Sequence, residues 1–147
     1  MAIAAVLKFL ATLCTALFAG AALYVTLVEH PARMECGSRI AIAEFGPSYR
    51  RGAVMQASLA ALSFVAAVGA WFISRHASWL IGGILIVTVI PFTVIVILPT
   101  NKQLLNPTLD PNSDLARQLL TRWGRLHAAR TVLGLAALTV FLLPRLA

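Results

Sequence analysis

With 147 residues, 60% of them hydrophobic and 12% charged, and a mean hydropathy of +0.87, the chain is too apolar for an ordinary water-soluble domain. Its formal charge of +7 is spread over membrane edges and connections with no aromatic-rich soluble surface beside it. That excludes nucleic acid as the natural partner and favours membrane lipid headgroups or topology signals.

Windows almost free of charge cover residues 2–28, 53–73, 79–99 and about 124–143. Each is near the ~20 residues needed to cross about 30 Å of hydrocarbon. The pattern predicts an all-α membrane protein, a four-transmembrane-helix bundle forming a single domain over residues 1–147. Four spans with short links place both termini and the 74–78 turn on one side, and two longer polar connections, 29–52 and 100–122, on the other.

The first window is interrupted by Lys8 and contains "LFAGAA", whose small residues suit a signal-peptide cleavage site. No basic region precedes the apolar run, so a retained first helix is expected. Cys14 lies mid-helix and Cys36 in the following connection, on the order of 15 Å away, which argues against an internal disulfide. Glu29 and His30 end this span.

The connection "VEHPARMECGSRIAIAEFGPSYRRG" predicts a break at Pro31, a short helix from Cys36 to Phe45, and a second break at Gly46 and Pro47, a segment able to fold over the helix ends as a lid. Beyond it, Tyr49, Gly52 or Ala53, and Gln56 share one helical face. Tyr49 is a candidate catalytic phenol and Gln56 a candidate substrate contact; an aromatic-belt tyrosine beside Arg50 and Arg51 is the plainer alternative.

In the third span, Pro91 removes a backbone hydrogen bond and predicts a kink that opens a cavity toward the long connections. Gly82 and Gly83, like Gly20 and Ala21, permit close helix contacts within or between chains and leave a homo-oligomer open. The closing "LPTN" delivers Asn101 where the helix is expected to stop, either to cap backbone or to hydrogen-bond a substrate oxygen. From Pro99 the stretch "LPTNKQLLNPTLDPNSDLARQLL" holds three prolines, and Asn112, Ser113 or Asp114 is positioned to cap the fourth helix.

That helix begins its apolar part late. Thr131–Leu143 is 13 residues, roughly 20 Å, so a crossing must reach back to about Gly124 and draws His127 and Arg130 into the membrane boundary. Trp123, His127, Arg130 and Gly134 follow steps of four, three and four and share one face. An arginine at mid-bilayer costs roughly 2.5–3.5 kcal/mol on insertion scales, which calls for a carboxylate, a wet cavity or snorkelling. Glu29 lies on the same membrane side and is free by topology to pair with Arg130 or His127; interface-marking charges are the alternative.

His127 suits a base, an acid or a metal ligand, or simply an imidazole bonded to a loop carbonyl. A metal site would have to gather His30, His127, Glu29 and Glu44, and no Glu-x-x-His or His-x-x-x-His spacing supports one, so no metal is expected.

Together, "SYRRG" before the second span, "LPTN" closing the third and "RWGRLHAAR" opening the fourth resemble a small four-helix membrane family of unknown-function domains that includes the fungal anthrone oxygenases. The resemblance runs from the first span to Arg130, and "VEHPARM" looks like its bacterial branch, which implies a multi-pass protein of a bacterial inner membrane. It implies oxygenation of an activated methylene between aromatic rings, and the matching positions are Asn101, Trp123, His127 and Arg130; the cofactor is left open between none beyond dioxygen and a metal.

The expectation is therefore an oxygenase-like protein acting on a lipophilic phenolic or anthrone-like molecule. His127 serves as base, Arg130 as anion stabiliser, Asn101 and Tyr49 as hydrogen-bonding groups, and Trp123, Gln56 and Glu29 as substrate contacts. Two other classes compete: a non-catalytic scaffold, which needs the polar cluster packed solid, and a small transporter or lipid-binding protein, which needs a polar route toward Lys8. By the positive-inside rule, Arg33, Arg39, Arg50, Arg51, Lys102, Arg117 and Arg122 against Lys8, Arg75 and Arg145 put the long connections in the cytoplasm.

Overall fold

The computed structural model describes residues 2–143. Among them are four helices long and apolar enough to cross a membrane: α1 (Ala2–Glu35), α2 (Ser38–Ser74), α3 (Ala77–Leu104) and α4 (Asp114–Leu142). Helices consecutive in sequence pack on one another, α4 closes the ring against α1, and diagonal pairs barely touch. This is an integral, multi-pass helical bundle.

The turns follow local chemistry. Gly37 sits at φ 88°, which lets the chain reverse between α1 and α2, and Arg75 takes the left-handed conformation at the end of α2. Ser113 caps α4, its Oγ accepting from the Ala116 amide at 3.1 Å, within the expected Asn112–Asp114 window.

Three expected breaks are absent or displaced. The predicted Cys36–Phe45 helix does not end at Gly46 and Pro47 but continues to Ser74. Gly46 has no Cβ to clash with the proline ring, which removes part of the penalty on the preceding residue. Pro31 does not interrupt α1, and Pro91 lies inside regular helix. The distortions instead are two wide π turns, Val25–Glu29 and Thr93–Ile97, each ending two residues before a proline, Pro31 or Pro99. A proline ring collides with the carbonyl four residues earlier, here within the wide turn, so the backbone loosens upstream of the proline.

The interior is layered. At the long-connection end, Ala41, Phe45, Leu120 and Trp123 pack together; in the middle, Phe18, Ala60, Ile86 and Ala137; at the far end, Ala11, Ala67, Trp79 and Phe141. The buried hydroxyls of Thr15 and Ser63 satisfy one another at 2.6 Å, and Ser63 also donates to the Ala11 carbonyl, so neither hydroxyl is left without a partner. At the far end Lys8 and Arg75 lie over the rings of Trp79 and Trp71, each at 5.7 Å. Cys14 and Cys36 are both free thiols. Arg145, one of the charges weighed for topology, lies outside the described residues.

Candidate active site

The 3.6-residue period carries the fourth helix's polar face inward as expected. Trp123, His127 and Arg130 are all buried, and Gly134 continues the same face beneath them. Trp123 and His127 stack at 4.8 Å, with His30 tilted against the same indole at 5.2 Å. Phe45 meets Trp123 edge-on at 5.4 Å and lies parallel to Tyr49 at 5.8 Å. Gly124 makes the His30 contact feasible, because a Cβ there would collide with the imidazole.

These side chains surround a cavity of about 220 Å³ at the long-connection end. Its polar wall consists of Arg33, Ser48, Tyr49, Gln56, His127 and Arg130, and its aromatic wall of Phe45 and Trp123. The rest is apolar or small, contributed by α2 and α3, with Val25 and Thr93 drawn from the two π turns.

Below the cavity, the Arg130 guanidinium lies over the Phe18 ring at 5.0 Å. Phe18 in turn occupies the notch of Gly134, where a Cβ would come within 2.8 Å of the ring. The small residue expected to close the pocket floor thus seats the phenyl ring on which the arginine rests.

The two buried arginines are compensated differently. Arg33 is bound by Glu29 and by Glu44, the latter at 2.9 Å, and Glu29 also accepts from Ser48 at 3.0 Å. Glu29 therefore pairs with neither Arg130 nor His127, because the i,i+4 partner on its own helix takes it first. Arg130 has no ion pair and no side-chain hydrogen bond among the described residues, and its Nε is fully buried without a partner.

His127 is held from behind. Its Nδ1 lies 3.1 Å from Thr26 Oγ1, which donates its single proton to the Ala22 carbonyl at 2.9 Å and lies 2.8 Å from Thr131 Oγ1. Thr131 Oγ1 can itself donate to the Ala22 or His127 carbonyl, at 3.2 and 3.1 Å; where Thr26 gives its proton to Ala22 it accepts from the ring, and the uncharged imidazole then carries its proton on Nδ1. Nε2 has no hydrogen-bond partner among the described residues. A hydrogen bond does anchor His127, but through a threonine hydroxyl rather than a loop carbonyl.

Not every expected residue reaches the cavity. Asn101 and Glu29 are not on its wall. α3 continues three residues past Asn101, so Asn101 does not stop the helix; its side chain is fully buried, with neither amide atom hydrogen-bonded. No group of three or more His, Cys, Asp or Glu side chains among the described residues is placed to hold a metal, so the set His30, His127, Glu29 and Glu44 is not assembled. Two carboxylates of that set are drawn to Arg33, and both imidazoles to Trp123.

Residues that the sequence did not single out complete the site: Thr26, Arg33, Phe45 and Phe18. The Glu29–Arg33 and Phe45–Tyr49 pairs had a readable signal in their i,i+4 spacing. Thr26 and Phe18 had none, since their partners lie on α4, more than 100 residues away.

Comparison with known proteins adds two findings. The sequence model of the family described as anthrone oxygenase matches residues 45–140, which include Phe45, Tyr49, Gln56, Trp123, His127 and Arg130. The chain is also 28% identical over 132 residues to anthrone oxygenase gedH of Aspergillus terreus, an alignment covering 82% of this chain and 87% of that protein. No solved structure gives a significant match.

Proposed function

Since the chain belongs to the anthrone oxygenase family, we propose that it oxygenates the activated methylene of an anthrone-like or related phenolic molecule held in the cavity between Trp123, His127 and Arg130. The observation that carries this is the uncompensated Arg130 guanidinium in a cavity that His127 also lines. A buried cation without a carboxylate suits a ligand that is, or becomes, an anion.

The chemistry is sparse and balanced. His127 Nε2 removes one methylene proton, leaving an anion delocalised onto the ring oxygen near Arg130. That anion is electron-rich enough to reduce dioxygen, and the methylene carbon bonds one oxygen atom. The peroxide anion so formed takes back that proton to become a hydroperoxide, and loss of the second methylene proton together with hydroxide across the O–O bond gives the carbonyl and water, so CH2 plus O2 becomes C=O plus H2O. Trp123 and Phe45 suit the faces and edges of a flat ring, and Tyr49 and Gln56 suit hydrogen bonds to its oxygens.

Two observations weigh against the competing classes. A scaffold has no use for a 220 Å³ cavity beside the polar cluster. A transporter needs a polar route toward Lys8, whereas Phe18, Ile86, Ala137 and Phe141 fill that direction. The exposed charges Arg39, Arg50, Arg51, Lys102, Arg117 and Arg122 support placing the cavity end on the cytoplasmic side of the membrane.

Aerobic turnover of 1,8-dihydroxyanthrone by the purified protein tests this. The expected result is one dioxygen consumed per anthraquinone formed, at a rate above the uncatalysed oxidation and reduced by about 10²–10⁴ in His127→Ala. Equal rates for wild type and His127→Ala would overturn the assignment.

A further inference from the structure

Aromatic and charged side chains line much of the cavity, and one of its walls, the seam between α2 and α3, reaches the outer surface of the bundle. Gly52, Ala53 and Ala57 of α2 face Ile90, Thr93 and Val94 of α3 there. Ala57 and Val94 line the cavity and are also exposed on the outside, Val94 by 56%. The one hydroxyl in the seam, on Thr93, is consumed by the Val89 carbonyl at 2.6 Å, so the slot is chemically apolar throughout.

Its depth places it in hydrocarbon. Ala57 is six residues beyond Arg51 on α2, and Val94 is eight residues before Lys102 on α3. At 1.5 Å per residue these are roughly 9 and 12 Å below the charged ring, inside the ~15 Å half-thickness of the apolar core. Arg130, eight residues beyond Arg122, lies at the same level. The cavity's polar end and its outer slot therefore form one short horizontal passage within a single leaflet.

The enclosed volume of about 220 Å³ is smaller than the roughly 300–1,000 Å³ of sites that engulf a drug-sized ligand. A ring system seated at Arg130 and His127 takes up most of that volume, and the α2–α3 seam offers further bulk an apolar way out.

Resting on the functional reading above, we infer that the substrate is an amphiphile, an acidic ring headgroup carrying a hydrocarbon chain. The headgroup sits at Arg130 and His127, and the chain passes between Ala57 and Val94 into the surrounding leaflet. The slot is both the entrance for a molecule dissolved in the membrane and a permanent seat for its chain. The small side chains at Gly52, Ala53 and Ala57 leave the width that a methylene chain needs.

The test uses two probes, 1,8-dihydroxyanthrone and the same ring bearing a decyl chain, in anaerobic detergent at fixed micelle concentration. Binding is read by quenching of Trp123, with Trp71 and Trp79 replaced by Phe, for the otherwise unchanged protein, Ala57→Phe, Val94→Phe and the control Ala61→Phe, exposed one turn away and outside the cavity wall. Ala57→Phe and Val94→Phe are each expected to raise Kd for the decyl probe about tenfold while changing Kd for the bare ring less than twofold, with Ala61→Phe neutral for both. Unchanged decyl binding in both slot variants, or equal weakening of both probes, overturns the inference. Because binding is read without turnover, the two claims separate. Chain-selective loss with no oxygenation keeps the slot and removes the oxygenase reading; oxygenation without chain selectivity does the reverse.

Discussion

Arg130→Met should leave the fold at least as stable as the wild type while removing its affinity for anions. Arg130 is 9% exposed, lies within a membrane span and pairs with no carboxylate among the described residues. Holding an arginine at mid-span costs roughly 2.5–3.5 kcal/mol on insertion scales. Its position over Phe18 at 5.0 Å returns about 0.5–2 kcal/mol. Methionine keeps the length and a favourable contact with the same ring without the charge. The balance predicts stabilisation by about 1 kcal/mol, read as a thermal midpoint in detergent raised by roughly 3 °C. A phenolate ligand loses a charge-assisted hydrogen bond, about 1.5–3 kcal/mol, so its Kd should rise roughly 10- to 150-fold in Trp123 quenching with a hydroxyanthraquinone. A variant destabilised by ~2 kcal/mol or more with unaltered ligand affinity would show the guanidinium to be a structural brace and refute the reasoning.

Thr26→Val keeps the side-chain shape but strips His127 Nδ1 of its acceptor. It should lower kcat about tenfold with KM within about twofold, and Thr26→Ser should restore most of the loss; equal defects in both variants would remove the tautomer role. Gly124→Ala puts a methyl within 2.7 Å of His30 Cδ2 and should lower stability by about 1–3 kcal/mol in denaturant or thermal unfolding, whereas a silent substitution would mean that His30 is free to move. Arg33→Leu strands Glu29 and Glu44. Because both carboxylates keep contact with water, the loss should be on the order of 2 kcal/mol rather than the 3–5 typical of a fully buried pair, and the added Glu44→Gln substitution should recover part of it.

Much of the site was legible where a single helix carries it. The steps of four, three and four through Trp123, His127, Arg130 and Gly134 needed only helical periodicity, as did the shared face of Tyr49 and Gln56 and the cap near Ser113. What the sequence hid are choices between helices and between partners. Glu29 was topologically open to Arg130, but Arg33 one turn away reaches it at lower entropic cost. The punctuation at Gly46–Pro47 and Pro91 suggested breaks, yet tertiary packing carries helix through both, and the strain appears upstream of Pro31 and Pro99. Asn101 belonged to a recognisable motif, but the helix that follows the second π turn buries it away from the cavity wall.

The central claim is that His127 Nε2 takes a proton from a ring-flanked methylene. Anaerobic exchange measures that step alone: 10,10-dideuterated 1,8-dihydroxyanthrone is incubated with the protein in ordinary water without dioxygen, and loss of deuterium is followed by mass spectrometry. Washout by the wild type well above the buffer rate, reduced at least about 10²-fold in His127→Ala, is the predicted result. Washout no faster than buffer, or undiminished in His127→Ala, would contradict it.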